Sequence, residues 1–349
     1  LTQPGLDYGD KPKALILFHK YAQSAKTALE EHLTEGAEYA ISQDCVNIHF
    51  TISPEHRDGF ETLLKKVIPQ YEKEYGVTYN ISLSEQKKST DTIAVNMDNT
   101  PFRNQDGTLL FRPAGHGALI ENLGDLDADL IFIKNIDNIT TQDLRADTIK
   151  YKKMLAGVLV STQKQIFEYI KELDSKTPDL DKIHTFIFDK LNVKLDKKLS
   201  AIEYKNILNR PLRVCGIVKN TGEPGGGPFW VPDEQGYQTL QIAEPAQIAP
   251  ESKHLLEQGE FFNPTDLVCA TKDYNGQKFD LKKYIDEKSG FISEKSKNGK
   301  PLRAMERPGL WNGSMAKWNT IFVVVPITTF TPVKIVTDLL NPAHQTKLN

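Results

Sequence analysis

The residues best suited to chemistry are Asn135-Ile136-Asp137-Asn138, directly after the apolar run 129–134. An apolar strand that ends in a carboxylate presents it where open α/β sheets bind ligands. One carboxylate, completed by water and substrate phosphates, is how Mg2+ is usually held. The spacing makes Asp137 a candidate Mg2+ ligand; the plain alternative is an Asx turn that closes the strand. Lys334, in Pro332-Val333-Lys334 with Asp338 behind it, follows another apolar run at 321–326. A lysine beside a core strand can serve as a point charge for a phosphate. A solvated lysine at a helix start is the commoner reading of the same pattern.

Glycine marks two further places. Gly115 and Gly117 flank His116 just ahead of a helix. Glycines let backbone approach a planar base or a phosphate, and helix N-termini offer free N–H groups. Gly225-Gly226-Gly227 lies in a Pro-bracketed loop, where a sugar or phosphate could pass closely. Taken alone, a tight turn and a hairpin tip explain these glycines equally well. Gln86 ends a strand and offers both a donor and an acceptor to a base edge, although Lys87, Lys88 and Ser89 after it also suit a surface turn.

Other chemistries are excluded. Neither GxSxG nor GxxxxGK[ST] occurs, so the hydrolase elbow and the P-loop are absent from the chain. Cys45, Cys215 and Cys269 are distant from one another and never in CxxC spacing, which argues against zinc or a disulfide framework and for a reducing, cytoplasmic setting. A net charge of −3 argues against a nucleic-acid partner. No apolar run reaches membrane-span length, so no membrane partner is expected. The oligomeric state is not legible. The chain opens on Leu1, and a preceding segment is expected to be missing.

The elements that must hold these residues alternate. A helix is predicted over 27–40, a strand over 46–52, and a helix after Ser53-Pro54 that runs to about Tyr75. A strand over 77–83 and a hairpin over 96–107 follow. Helices are expected over 143–173 and 180–209, strands over 211–219, 238–243 and 321–326, and a short helix over 333–340. Such alternation predicts an α/β fold with a mixed, mainly parallel sheet flanked by helices. Three parts are expected: an α/β half over 1–142, a helical insertion over 143–209, and a second α/β half over 210–349. Residues 272–300 read as a peripheral loop-and-helix excursion.

The order of these segments is informative. Pro12-Lys13-Ala14-Leu15 resembles the Pro-Lys-Ala-Leu segment of sugar nucleotidyltransferases. Gly115-His116-Gly117 is similar to the Gly-His-Gly segment of the UTP–sugar-1-phosphate uridylyltransferase superfamily, and Asn135-Ile136-Asp137-Asn138-Ile139 to its Asn-x-Asp-Asn-Leu metal site. Ile242-Ala243-Glu244 is similar to its Leu-x-Glu sugar-contacting strand, and Phe262-Asn263-Pro264-Thr265-Asp266-Leu267 to its Phe-Asn-Thr-Asn-Asn-Leu. Residues 325–340 track Val-Pro-Arg-x-Arg-Phe-x-Pro-Val-Lys, then Asp-Leu-Leu, with Ile327 and Thr329 where the superfamily has arginines. The wording around 29–40, 112–138 and 209–231 also resembles an uncharacterised domain-of-unknown-function family of Bacteroidetes.

The resemblance implies a nucleotidyltransferase-like (GT-A/Rossmann-like) fold, with the half over 1–142 nucleotide-binding and the half over 210–349 sugar-binding. It implies condensation of a nucleoside triphosphate with a sugar-1-phosphate, with Mg2+ as cofactor. Asp137 would hold the metal, and Lys13 and Lys334 would be the catalytic cations. Gln86, Gly115, His116 and Gly117 would face the nucleotide; Gly226, Glu244 and Asn263 would face the sugar. A GT-A-type glycosyltransferase, or a non-catalytic nucleotide-sugar binder, would use the same scaffold.

Overall fold

The computed structural model describes residues 8–9, 11–220, 222 and 225–346. The glycine-loop residues Thr221, Glu223 and Pro224, and most of the expected N-terminal loop, lie outside the described residues. The chain condenses into two compact units: Leu1–Glu85, Lys134–Met154 and Val325–Asn349 form unit 1, and Gln86–Ile133 with Leu155–Val324 form unit 2.

In unit 1, β1 (Leu17–Lys20) pairs antiparallel with β2 (Ala25–Thr27), which leads directly into α1 (Ala28–Tyr39). Thr27 and Glu30 close a capping box, so the first free N–H groups of α1 are satisfied at the place where the sequence pattern turns helical. β3 (Ile41–Ser42) and β4 (Cys45–Ile52) form an antiparallel pair, and β4 runs parallel to β5 (Thr78–Glu85) over eight residue pairs. The crossover between them is α2 (Arg57–Tyr75), entered through a 3-10 turn with Pro54 at its first position. It ends at Gly76, whose φ of 66° only glycine adopts without strain. Leu29, Leu33 and Ala37 of α1 pack with Phe60, Leu64 and Val67 of α2 and Val46 and Phe50 of β4.

In unit 2, β6 (Thr92–Val95) and β7 (Phe111–Arg112) pair antiparallel, and between them come two tight turns, at 96–99 and 104–107, where a hairpin is expected. After α3 (Ile120–Asp125) comes β8 (Ile131–Lys134). Helix α4 (Ala146–Leu173) is followed by α5 (Leu180–Leu191), β9 (Val193–Lys194) and α6 (Ala201–Leu208). The helix expected over 180–209 is therefore two helices. Asn192 takes a left-handed conformation that ends α5, β9 pairs with a later strand, and Ser200 with Glu203 caps α6 afresh.

The central sheet is built on β10 (Leu212–Lys219), buried at every position but its last. Later strands are β11 (Gly227–Pro232), β12 (Gln238–Ala243), β13 (Phe261–Phe262), β14 (Asp266–Ala270), β15 (Phe291–Lys297), β16 (Lys300–Glu306) and β17 (Asn319–Val324), with α7 (His254–Glu257) between β12 and β13. β10 pairs with β14 and β13 antiparallel and with β17 in parallel; β8 lies beyond β14. The expectation of a mainly parallel sheet is thus corrected. β4–β5 and β10–β17 are parallel, whereas β10–β13, β10–β14, β11–β12, β15–β16, β16–β6 and β6–β7 are antiparallel, some joined directly by short turns such as Asp233–Tyr237 between β11 and β12.

The expected excursion over 272–300 is corrected in its second half. β15 and β16 form a hairpin whose two turn residues, Asn298 and Gly299, both have positive φ. That is the mirror-image turn that matches strand twist. The charged residues of β15 hide its strand character because one face of the hairpin is open to solvent. The short helix expected over 333–340 is a 3-10 turn, Val336–Leu340.

Candidate functional site

In unit 1 the residues after β8 fold back on the segment at 325–340. Val333 donates its N–H to the Asp137 carbonyl at 3.0 Å, and Asn138 pairs with Pro332 as an isolated antiparallel bridge. The Asn138 amide oxygen accepts from Thr331 N–H at 2.9 Å. These bonds hold the turn that carries Asp137 beside the segment that carries Lys334. The 3-10 turn at 13–15 brings in the third member: Lys13 donates to Asp137 Oδ2 at 2.6 Å and to the Val333 carbonyl at 2.7 Å. Lys334 donates to the same Oδ2 at 3.3 Å. Lys334 itself is held by Asp338, whose carboxylate accepts from Lys334 N–H at 2.7 Å and Ile335 N–H at 2.9 Å.

Two ammonium groups therefore converge on one oxygen of a carboxylate that is only 6% exposed. The other oxygen, Asp137 Oδ1, is buried and has no hydrogen-bond partner. A buried polar atom without a partner is costly and calls for an explanation, of which a bound cation is one. Its chemistry fits Mg2+, a hard cation that takes oxygen ligands. Among the described residues no group of three His, Cys, Asp or Glu side chains could hold a metal. The fit is thus to a metal with one protein ligand, the rest of its shell coming from water and phosphate oxygens.

Behind this trio lies a buried ionic network. Lys134 reaches both oxygens of Glu35 at 2.9 and 2.8 Å. Glu31 accepts from His19 at 2.8 Å, Tyr21 at 2.6 Å and Arg145 at 2.6 Å. Burial alone would raise both carboxyls; Lys134 and His32 hold Glu35 below the usual range, and His19, Arg145 and Tyr21 do the same for Glu31. Tyr21 is pushed well up by burial and by Glu31. His19 continues to His344 at 2.9 Å, and His32 meets the Ile136 carbonyl at 3.0 Å. The segment that carries Asp137 thus rests on α1 through charged side chains. Sequence reading missed this network. Its signal was present in Glu31, Glu35 and Glu38, three acids on one face of a helix.

In unit 2, Gly115 has φ 77° and starts the 3-10 turn His116–Leu119. A methyl on Gly117 would lie 2.0 Å from the Pro308 carbonyl oxygen, so this glycine is demanded by backbone packing. His116 stacks on Trp311, with ring centroids 4.3 Å apart, and its Nδ1 accepts from Leu310 N–H at 3.0 Å. Burial lowers its pKa, so the ring is neutral with its proton on Nε2. Glu244 and Glu306 act on it electrostatically. Gly226 lies against Glu244, where a methyl would meet Cγ at 3.1 Å, and its carbonyl accepts from Asn263 N–H at 2.8 Å. Gly226, Glu244, Asn263 and the Gly115-His116-Gly117 loop are thereby brought together within unit 2. Asn263 uses its side chain to bind the Gly216 carbonyl and Thr265 N–H. Gln86 is engaged locally with Thr90 Oγ1 at 3.3 Å. Trp311 and fully buried Arg213, which donates to the Trp311 carbonyl at 2.6 Å, were not anticipated.

The fold defined by these elements is similar to that of UDP-glucose pyrophosphorylases. Open and closed structures of the Leishmania major enzyme match with a TM-score of 0.52 and 17% identity over 96% of this chain and 62% of that one. A variant of that enzyme in complex with UDP-glucose matches with a TM-score of 0.51 and 15% identity, over 96% and 62%. The chain thus spans about three fifths of the length of the structures it resembles. No curated protein matches the sequence. Residues 1–345 match the family model described as domain of unknown function DUF4301, and the chain belongs to that family. Among the described residues no helix is long and apolar enough to cross a membrane.

Proposed function

We propose that this protein is a nucleotidyltransferase of the cytoplasm that joins a nucleoside triphosphate to a sugar-1-phosphate and releases pyrophosphate. The observation that carries the reading is the convergence of Lys13 and Lys334 on Asp137, whose second oxygen has no partner. The likeness to an enzyme whose structure holds UDP-glucose supports the substrate class. The α/β core would then follow the Rossmann-like order of that class.

In phosphoryl transfer the protein does little covalent work, and positioning with charge neutralisation supplies the rate. Lys13 and Lys334 are placed to neutralise phosphate oxygens. Asp137 would hold Mg2+, which when bound neutralises charge on the reacting phosphates. Within unit 2, the backbone freedom of Gly115 and Gly117 suits a flat base, and His116 offers an Nε2–H donor; Gln86 is a further nucleotide contact in this reading. Gly226, Glu244 and Asn263 are its sugar-facing residues.

The test is a pyrophosphate-release assay on the full-length protein with Mg2+, nucleoside triphosphates and a panel of sugar-1-phosphates. Asp137→Ala should lose turnover by about a hundredfold or more while circular dichroism stays unchanged. An Asp137→Ala protein that turns over like wild type would falsify the assignment.

A further inference from the structure

One row of side chains crosses the four-stranded sheet of unit 2 from edge to edge. Ile292 faces Met305 across β15 and β16. The pairing of Arg303 with Val95 and of Ala304 with Ala94 sets Met305 beside Ile93, and Ile93 faces Phe111 across β6 and β7. Residues in register share a face of the sheet. All four are open to solvent, with exposures of 62% for Ile292, 44% for Met305, 41% for Ile93 and 54% for Phe111. The alternate positions Ala94, Leu302 and Ala304 point the other way and form a core with Phe102 and Leu110. A one-sided antiparallel sheet normally turns polar residues to water. This one turns four large apolar side chains outward, a contiguous surface on the order of 400 Å2, the size at which patches mark interaction sites.

The relief of this face says what covers it. Around Ile93, Val95, Ile292 and Met305 the surface sinks into a groove of about 470 Å3. Phe111 stands at the opposite end of the row from Ile292. A knob and a groove on one face are self-complementary under a two-fold axis. At the groove's edge Glu294 and Arg303 pair at 3.7 Å, so the face brings no net charge to a like copy. A standard interface buries roughly 800 Å2 per partner, with an apolar centre and a polar rim. The row supplies about half of that as the centre, and Asn99, Glu294 and Arg303 supply the rim.

We propose that this face joins two copies of the chain across a two-fold axis, with Phe111 of each copy seated in the Ile93–Ile292–Met305 groove of the other. The inference does not depend on the enzymatic reading. Phe111 leads directly into Arg112-Pro113-Ala114-Gly115-His116, so the contact also braces the strand that carries that loop.

Sedimentation velocity on the full-length protein across micromolar concentrations tests it. Wild type sediments as a dimer. Phe111→Ala raises the dissociation constant more than about tenfold, the loss expected of a central aromatic anchor. Met305→Glu and Ile292→Lys sediment as monomers with circular dichroism unchanged, because both positions are exposed, and they lose the concentration dependence of the wild-type melting temperature. A monomeric wild type, or a dimer that persists in these variants, overturns the proposal.

Discussion

Lys134 and Glu35 make the sharpest prediction about unit 1. Their side chains are 7% and 0% exposed and meet through two hydrogen bonds of 2.9 and 2.8 Å. Taking both ions out of water costs several kcal/mol each, and their attraction roughly returns it. Glu35→Gln therefore leaves a buried ammonium without its countercharge and should cost about 3–5 kcal/mol. Lys134→Met leaves the carboxylate with His32, Tyr39 and the charge of Arg145, without its direct ion pair, and should cost a similar amount. Glu35→Gln with Lys134→Met removes both charges and should return to within about 2 kcal/mol of wild type. Hydrogen exchange of the α1 amides reads these losses directly. Single variants that cost under about 1 kcal/mol, or a double variant that costs the sum of the two, would show that the pair is not held as described.

Two further perturbations have defined signs. His344 is 2% exposed, and burial with the neighbouring His19 pushes its pKa down to about 4. The unfolded chain binds this proton near 6.5 and the folded chain does not, so stability should fall as pH drops from about 6.5 toward 4, by roughly 3 kcal/mol from this group. Urea midpoints for wild type and His344→Asn should diverge over that window and nowhere above it; equal slopes refute the cause. Gly117→Ala should destabilise unit 2 by about 2 kcal/mol or more, because the added methyl meets a carbonyl oxygen at 2.0 Å. Its control is Gly157→Ala in α4, where nothing lies within 4 Å and a gain of about 0.5–1 kcal/mol is expected. Tryptophan-detected melting of Gly117→Ala and exchange of the α4 amides in Gly157→Ala check the two signs.

What could be read from the sequence was what local chemistry dictates. The apolar stripe of α1, the Pro54 entry to α2 and the apolar runs of β4, β10 and β17 each leave a signature within a few residues. Asp137 and Lys334 were legible because an apolar strand ends at one and begins shortly before the other. The network behind them was not. Lys134–Glu35 joins residues 99 apart and His19–His344 residues 325 apart, and nothing local in a glutamate says which cation it will meet. Glu31, Glu35 and Glu38 look like the solvated face of α1, yet tertiary contacts make that face buried at Glu31 and Glu35. The β15–β16 hairpin was hidden for the converse reason: its strands are held by backbone pairing, which tolerates Glu294 on one face and Lys295 and Lys297 on the other.

The arrangement at Asp137 also separates two roles that one side chain could play. Lys13 and Lys334 would repel each other if nothing lay between them, and Oδ2 is the anionic oxygen that both reach. Asp137 is therefore a scaffold for the cation pair whether or not a metal binds. The second oxygen has no such duty, and a hydrogen-bonding scaffold has no need to bury it. Asp137→Asn keeps the shape, can keep one carbonyl oxygen toward the lysines, and removes the charge. If Asp137 only positions the lysines, this variant weakens binding of a nucleoside triphosphate equally with and without Mg2+. If Oδ1 holds the metal, the loss measured by calorimetry is larger with Mg2+ present, and the scaffold part of it remains when Mg2+ is chelated. Equal losses in the two conditions would leave the lysine pair intact as a phosphate site and remove the metal from this account.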